Sequence, residues 1–409
     1  MDARQMEGLR IAQTSRIRKD GKVWIVPSQS GNKTYKVSFN GHEPTCTCPD
    51  CELHSGKCKH IWAVEYFVKQ EIDAEGNKST TRAVKVTYTQ DWSSYNKAQC
   101  NEQGLFMKLL SDLCKNVPQP AYVFGRPTMP LSDMVFASAL KVYSTFSLRR
   151  FMSLMNIAIE KNHIDKTCSF VTVGSYMRSP ELTPVLEKLI QLTSLPLASV
   201  EKDFAVDSSG FSTCRFDRWF SFKQGRAVSW RAWLKAHITC GTKTNIITSV
   251  RITESTNADS PQFKGMVEET AQNFQINEVV ADKGYSSREN LETVEKLGGE
   301  AFIPFKKGTT GKARGSLLWS KMYHYFMFNR EEFLEHYHKR SNVETTFHMI
   351  KTKFGDSLRS KDKTAQLNAV LLKILCHNIC VVIQEMFELG IEPQFCKISE
   401  GAVKKVEGN

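Results

Sequence analysis

The sequence is expected to contain no apolar run that approaches the roughly 18 to 20 residues of a membrane-spanning helix. Its first stretch, MDARQMEGLRIAQTSRIRKD, lacks the apolar segment of a signal peptide. Most of its 12 cysteines are scattered along a long chain, which indicates reduced thiols and not the disulfide framework of a small secreted protein. These absences predict a soluble, intracellular protein with no membrane partner.

Acidic residues are outnumbered by basic ones. Lys and Arg number 55 against 43 Asp and Glu, a formal net charge of +12, which favours an acidic polymer such as nucleic acid as partner. The chain has 409 residues, of which 41% are hydrophobic, so its length predicts two or three domains with a sizeable core.

One group of cysteines is not scattered. The stretch CTCPDCELHSGKCKH contains a C-x-C pair and a C-x-H pair, formed by Cys46, Cys48, Cys58 and His60. Two short ligand pairs joined by a turn-rich loop can supply the four ligands of one tetrahedral structural Zn²⁺. Cys51 and His54 are alternative ligands, and a chance cluster of reduced cysteines is the other interpretation. The strand pattern of YKVSF and the helical spacing of IWAVEYFVK predict a β-hairpin and a helix around this metal, in a module over residues 1–70.

The middle of the chain is predicted to be helical. Residues 71–98 are polar and predict a linker, whereas residues 99–195 have helical periodicity. Ser147 is a candidate cap for a helix that opens with Arg149 and Arg150, a placement suited to DNA phosphates in a helix-turn-helix. An ordinary helical bundle explains the same pattern equally well.

The order of predicted elements in residues 200–390 indicates the fold class of the main domain. Residues 391–409 are predicted to form a polar tail. The order strand, strand, strand, helix, strand, helix, strand, helix is that of a ribonuclease H-like α/β fold, with a mixed sheet and flanking helices. In this interpretation Asp207 follows the first strand and Asp282 follows the fourth. Ser260 is predicted to cap one helix, and Ser286 with Glu289 to form the capping box of another.

The last predicted helix of this region contains YHKRSNVETTFHMIK. At about 100° per residue, four polar side chains fall within an arc of about 60° beside an apolar stripe. The polar residues are Tyr337, Arg340, Glu344 and Lys351, and the apolar ones are Val343, Phe347, Ile350 and Phe354.

If the polar edge of this helix faces the ends of the first and fourth strands, Glu344 lies close to Asp207 and Asp282. Three carboxylates so close require cations, and Mg²⁺ prefers such hard oxygen ligands. Two ions about 3.5 to 4 Å apart would activate an attacking oxygen and stabilise a leaving one.

Alternatives exist at all three positions of this site. Asp282, which precedes Lys283 and Gly284, can also be interpreted as the start of a turn. Asp203, Asp217 and Asp259 compete with Asp207, which is preferred because it is followed by a small Ser-Ser-Gly turn. Glu344 can also be interpreted as part of a surface ion-pair face with its two basic neighbours.

The spacing Y-(2)-R-(3)-E-(6)-K resembles the signature of one group of DDE transposases of prokaryotic insertion sequences. The segments FAVDSSGFS and VVADKGYSS are similar to that family's two aspartate motifs, and QLNAVLLKILCHNICVVI to the apolar helix after the glutamate. This likeness covers about residues 200–390. The C-x-C…C-x-H pattern, over about residues 35–68, resembles the SWIM-type zinc finger, whose family binds DNA or protein.

The transposase resemblance implies catalysis by Asp207, Asp282 and Glu344 with two Mg²⁺ (or Mn²⁺) ions. It implies DNA phosphate contacts from Arg340 and Lys351, near Tyr337. It also implies double-stranded transposon ends and target as partners, a homodimer in the DNA complex, and a cytoplasmic, nucleoid-associated prokaryotic protein.

The segment between the second aspartate and the glutamate raises two further points. Many relatives carry a large β-rich insertion there that helps to hold a hairpin intermediate, and the short segment of this chain leaves no room for it. Its basic stretch FKKGTTGKARG predicts additional phosphate contacts from Lys306 and Lys307. Two alternative functions remain: a domesticated, non-catalytic DNA-binding protein, and a ribonuclease H-like nuclease without strand transfer.

Overall fold

The computed structural model describes most of the chain, in two compact units that span Met1–Val84 and Lys85–Asn409. The described residues are 3–15, 17–20, 23–28, 34–40, 43–53, 57–68, 70–72, 78–80, 91–121, 124, 128–213, 223–224 and 233–395.

The first unit is built around a four-stranded antiparallel sheet in the order β1-β2-β3-β4. Its strands are β1 (Arg18–Asp20), β2 (Val23–Pro27), β3 (Thr34–Asn40) and β4 (Glu43–Cys46). Its helices are α1 (Ala3–Thr14), α2 (Pro49–Leu53) and α3 (Lys59–Val68), and a separate hairpin pairs β5 (Gln70–Ile72) with β6 (Lys78–Thr80). The predicted hairpin and helix correspond to β3, β4 and α3. Gly8 lets α1 pack closely on α3, because a Cβ there would lie 2.9 Å from the Lys59 carbonyl oxygen.

The second unit begins with five helices. They are α4 (Trp92–Cys114), α5 (Leu131–Tyr143), α6 (Leu148–Glu160), α7 (Phe170–Tyr176) and α8 (Leu182–Ser194). Helix α4 begins inside the segment interpreted as a linker, because the Asp91 side chain accepts hydrogen bonds from the Ser93 and Ser94 N–H groups. The Ser147 side chain caps α6, as the sequence predicted, by accepting from the Arg150 N–H.

The five-stranded sheet of this unit has the order β11-β10-β7-β8-β9. Its strands are β7 (Asp203–Ser212), β8 (Trp233–Gly241), β9 (Ile247–Glu254), β10 (Glu278–Ala281) and β11 (Glu300–Phe302). Strands β7, β8 and β9 pair antiparallel, while β10 pairs parallel with both β7 and β11. This mixed sheet with flanking helices confirms the ribonuclease H-like α/β prediction.

Six further helices lie between and after the strands of this sheet along the chain. They are α9 (Ser260–Ala271), α10 (Arg288–Lys296), α11 (Leu317–Phe328), α12 (Arg330–Tyr337), α13 (Ser341–Phe354) and α14 (Lys363–Glu388). Two predicted caps differ by one residue. Asp259 occupies the cap position of α9 without a side-chain bond, and α10 is capped by Ser287, because Ser286 ends the preceding 3₁₀ turn.

Helix α14 is long and apolar enough to cross a membrane, so the expectation that no segment approaches that composition was wrong. In its most apolar window, however, 83% of the residues are buried inside the protein. It packs against α4, α5 and α8, and one hydrophobic cluster joins these helices to the sheet. This burial identifies α14 as a core helix.

Candidate functional site

The first predicted catalytic aspartate lies within β7 and not at its end. Asp207 pairs with Ile238 of β8, and this antiparallel pairing continues to Ser212 and Trp233. The Ser-Ser-Gly segment is therefore strand and not the predicted turn, because its partner strand extends alongside it. On the other side of β7, pairing with β10 stops just before Asp207.

The second aspartate follows β10 directly. Val206 and Ala281 are partners in the parallel ladder, so Asp207 and Asp282 occupy the next positions of two strands about 4.8 Å apart. The Asp282 side chain accepts a hydrogen bond from the Gly284 N–H at the start of a 3₁₀ turn. Gly284 permits this geometry, because a Cβ at that position would lie 2.7 Å from Asp282 Oδ1.

The glutamate lies in the first turn of α13. The sequence predicted one continuous helix from Tyr337, whereas α12 ends at that residue and a 3₁₀ turn over His338–Arg340 precedes α13. The apolar stripe is confirmed, since its members Val343, Phe347, Ile350 and Phe354 are all buried. The Glu344 side chain is 59% exposed, so it projects from the edge of the helix into solvent.

Two basic side chains join this helix edge to β7. Arg340 Nη1 lies 2.6 Å from Asp207 Oδ2, and its other terminal nitrogen bonds Glu344. Lys351 Nζ donates to Ser209 Oγ at 2.6 Å. Because alternate strand residues share a face, Asp207 and Ser209 point to the same side, and the helix edge follows that side. Ser209 was not anticipated as a site residue, although this alternation was readable in the sequence.

The three carboxylates affect one another electrostatically. Burial raises the pKa of Asp207, whereas the Ser208 N–H and the Arg340 guanidinium lower it. The charges of Asp282 and Glu344 raise it further. The fold thus brings the predicted trio into one neighbourhood, with Arg340 as the cation that two of them share.

Tyr337 lies beside this cation. Its ring centroid is 6.0 Å from the Arg340 guanidinium carbon, and burial raises the pKa of its hydroxyl, with Arg340 acting in the opposite direction. The side chain therefore borders the acidic site. Lys306 and Lys307 are exposed in the segment after β11, and neither forms an ion pair within the part of the chain that the structure describes.

The competing aspartates have other partners. Asp203 accepts from Lys339 at 2.8 Å at the far end of β7. Asp259 accepts from Ser208 at 3.2 Å and pairs with Lys235, on the face of β7 opposite to Asp207. Asp217 lies outside the described residues.

The cysteine and histidine cluster forms a second site, in the first unit. One ligand atom from each of four buried residues lies within 4.8 Å of the others, a set made of Cys46, Cys48, Cys58 and His60. Among the described residues no other set of three or more His, Cys, Asp or Glu groups is that compact. Cys51 is half-buried and outside the set, and His54 lies outside the described residues.

The chemistry of this cluster fits zinc. Neither ring nitrogen of buried His60 has a hydrogen-bond partner, which leaves a lone pair for a metal. The Cys46 thiol donates to the Cys58 sulfur and lowers the pKa of Cys58 to about 3, against the opposing effect of burial. Three cysteine sulfurs and an unpartnered imidazole within one small buried space form the donor set of a structural zinc site.

Comparisons with known proteins find similarity in both regions of the chain. Residues 198–379 match the transposase DDE domain, and residues 35–69 match the SWIM zinc finger. The search of curated proteins found no match. Among solved structures, a piggyBac transposase synaptic complex with hairpin DNA is similar, with 9% identity and a TM-score of 0.34 over 80% of this chain and 84% of that one. The chain therefore contains a region similar to the transposase DDE domain, preceded along the sequence by a region similar to the SWIM zinc finger.

Proposed function

We propose that this protein is a transposase, which binds the ends of an insertion sequence and catalyses metal-dependent DNA strand cleavage followed by strand transfer. The observation that supports this most directly is the approach of α13 to β7. Arg340 contacts Asp207, and Lys351 contacts Ser209, so the edge that carries Glu344 lies along the strand of the first aspartate.

The donor set suits divalent metal. Asp207, Asp282 and Glu344 would hold two Mg²⁺ or Mn²⁺ ions through hard carboxylate oxygens. When bound, such ions lower the pKa of an attacking water and stabilise negative charge on the leaving oxygen.

The basic side chains act on the substrate. Arg340 and Lys351 donate charge-assisted hydrogen bonds to phosphate oxygens beside the acids. Arg340 has to release Asp207 and Glu344 to do so, and the ring of Tyr337 limits where its guanidinium moves.

Each of the two reactions keeps the number of P–O bonds constant. In cleavage, water attacks one phosphodiester and the 3′ oxygen leaves as a hydroxyl. In strand transfer, that 3′ hydroxyl attacks a phosphodiester of the target, and one new P–O bond replaces the one that breaks.

The remaining regions would recognise DNA or assemble the complex. The zinc module, over residues 1–70, would bind the DNA end or a partner, ahead of a linker over 71–98. The helical region, over residues 99–195, would add contacts near Arg149 and Arg150 to those of the catalytic domain over 200–390. Two copies of the chain are expected in the DNA complex, which light scattering with and without a DNA duplex measures.

The test compares substitutions of two exposed carboxylates, Glu344 and Glu335. Glu344→Gln should reduce Mg²⁺-dependent nicking of supercoiled plasmid by about a thousandfold, since metal coordination contributes several kcal/mol to the transition state, and should leave DNA affinity nearly unchanged. Glu335→Gln, which changes an exposed carboxylate of α12, is the matched control and should keep wild-type nicking.

Each alternative predicts a different result. Near wild-type nicking by the Glu344 variant would overturn the site. DNA binding by the wild type without nicking in Mg²⁺ or Mn²⁺ would indicate a non-catalytic DNA-binding protein. Nicking without joined products on a precleaved duplex would indicate a nuclease.

A further inference from the structure

Four cations from four different segments of the second unit lie near one another around the C-terminal end of α13. They are Lys141 at the end of α5, Lys351 of α13, Arg359 in the segment after it, and Lys373 of α14. We call them the basic band. Burial lowers the pKa of Lys373 to about 8; the charge of Asp356 raises it, and the charges of the other three cations lower it further. Within the described residues none of the four forms an ion pair with a carboxylate.

The basic band begins at the acidic site and continues along β7. The face of that strand that carries Asp207 and Ser209 continues with Phe211. Lys351 bonds Ser209 and lies 5.4 Å from the centroid of the Phe211 ring. Lys373 lies 5.3 Å from the same centroid. Positive charge therefore extends away from the carboxylates along the strand.

Lys373 positions the segment that carries the next cation. It is only 5% exposed, and its Nζ donates to the carbonyl oxygens of Gly355 at 2.7 Å and Ser357 at 3.1 Å. The backbone of Ser212 fixes the same segment, since its N–H donates to the Asp356 carbonyl and its carbonyl accepts from the Leu358 N–H. With its donors directed to backbone, Lys373 adds charge beneath the surface without reaching it.

Lys141 and Arg359 form the outer part of the basic band. Arg359 is exposed, and its Nη1 donates one hydrogen bond to the Thr145 carbonyl oxygen at 3.3 Å. This contact places Arg359 beside the start of α6. That helix presents the exposed side chains of Arg149 and Arg150 at its N-terminal end. Lys141 is half-buried, and both burial and the charge of Arg359 lower its pKa. Like charges held this close, without a carboxylate partner, repel one another until an anion lies between them.

We propose that Lys141 and Arg359 bind backbone phosphates of the duplex next to the scissile phosphate. The DNA end then runs from the acidic site along the basic band towards α6. This inference rests on the proposed function. A DNA strand fits because it supplies repeated negative charges along a line, and the basic band is a line of cations that starts at the catalytic carboxylates. Arg359 suits a phosphate particularly well, since its planar guanidinium can donate two parallel bonds.

The experiment measures salt dependence with matched double variants. Binding of a fluorescent 30-base-pair duplex is followed by anisotropy over a NaCl series, for the wild type, Lys141→Gln with Arg359→Gln, and Lys188→Gln with Lys296→Gln. The control pair removes the same charge from exposed lysines of α8 and α10. Losing two phosphate contacts should reduce the log–log salt slope by about 1.8 in the first pair and leave it unchanged in the control.

A second measurement locates the contacts on the DNA. A duplex with neutral methylphosphonates at single positions should bind the wild type more weakly at particular phosphates, and should bind the Lys141 and Arg359 variant without that penalty. If the double variant does not fold, Arg359→Gln alone, which removes one backbone hydrogen bond, should reduce the slope by about 0.9.

The outcomes separate this inference from the proposed function. A wild type that neither binds nor nicks DNA would overturn the proposed function. If the wild type binds and nicks DNA but the Lys141 and Arg359 variant has the same log–log salt slope as the control pair, only the proposed phosphate contacts would be overturned. That result would assign the basic band to a different acidic partner, such as an acidic protein segment.

Discussion

The two candidate metal sites of this chain differ in what holds their ligands before a metal arrives. In the zinc module four ligand atoms already lie within 4.8 Å of one another, and the nitrogens of His60 have no other partner. In the second unit the side chain of Arg340 forms ion pairs with two of the three carboxylates, Asp207 and Glu344, and Glu344 is largely exposed.

This difference separates a structural metal from an exchangeable one. A closed set of four soft ligands leaves no open position for substrate, whereas carboxylates with an internal counter-ion can take up metal and phosphate and release them again.

Removal of one zinc ligand should eliminate the zinc and unfold its module. Structural zinc contributes roughly 10 to 16 kcal/mol in small zinc modules, so Cys58→Ser should contain no zinc and should lose hydrogen-exchange protection in α3. Elemental analysis and exchange mass spectrometry measure the two effects. Cys51→Ser is the control and should keep both, because Cys51 lies outside the four-ligand set. Zinc that persists in a Cys58→Ser, His60→Ala protein would transfer ligand roles to Cys51 and His54.

Chelation should distinguish the two sites within one sample. Brief EDTA treatment should abolish nicking, and added Mg²⁺ should restore it fully, because the carboxylate site exchanges its metal with solvent. The zinc content should stay constant over the same period, since four protein ligands enclose that ion. Zinc that leaves together with nicking activity would contradict the contrast.

Removal of the internal counter-ion should strengthen metal binding in the absence of DNA. In Arg340→Gln the metal no longer competes with a charged hydrogen bond to Asp207, so Mn²⁺ should bind about tenfold more tightly by calorimetry. Lys351→Gln is the control, because Lys351 bonds a serine and not a carboxylate. An equal gain in both variants would show a general effect of lost charge.

The smallest effect concerns the exposed lysines after β11. Replacing Lys306 and Lys307 by Ala should reduce the log–log salt slope of duplex binding by about 1.8, with sequence preference unchanged. Competition with unrelated duplexes measures the preference. An unchanged slope would place both side chains in solvent, away from the DNA.

What the sequence predicted well depends on short-range patterns. The ligand pairs of the zinc site lie close together in the chain, so their spacing was sufficient. The apolar stripe of α13 and the place of Asp282 after a short apolar strand also follow from local periodicity.

What the sequence predicted poorly depends on distant partners. The end of β7 was misplaced because β8, a separate segment, continues to pair beyond Asp207. The 3₁₀ turn before α13 interrupts a pattern that is helical by spacing alone. Lys141, Arg359 and Lys373 gave no common signal, because the fold assembles them from three separate segments.

The packing of α13 against β7 also determines when the site can form during synthesis of the protein. Arg340 joins that strand near the start of α13, and the backbone around Asp356 joins it again after the helix ends. A chain still on the ribosome has both aspartates long before it has this helix, and contacts between such distant segments form late. Under the proposed function, the nascent protein would therefore be unable to cut DNA until nearly all of the region that matches the DDE domain has left the ribosome.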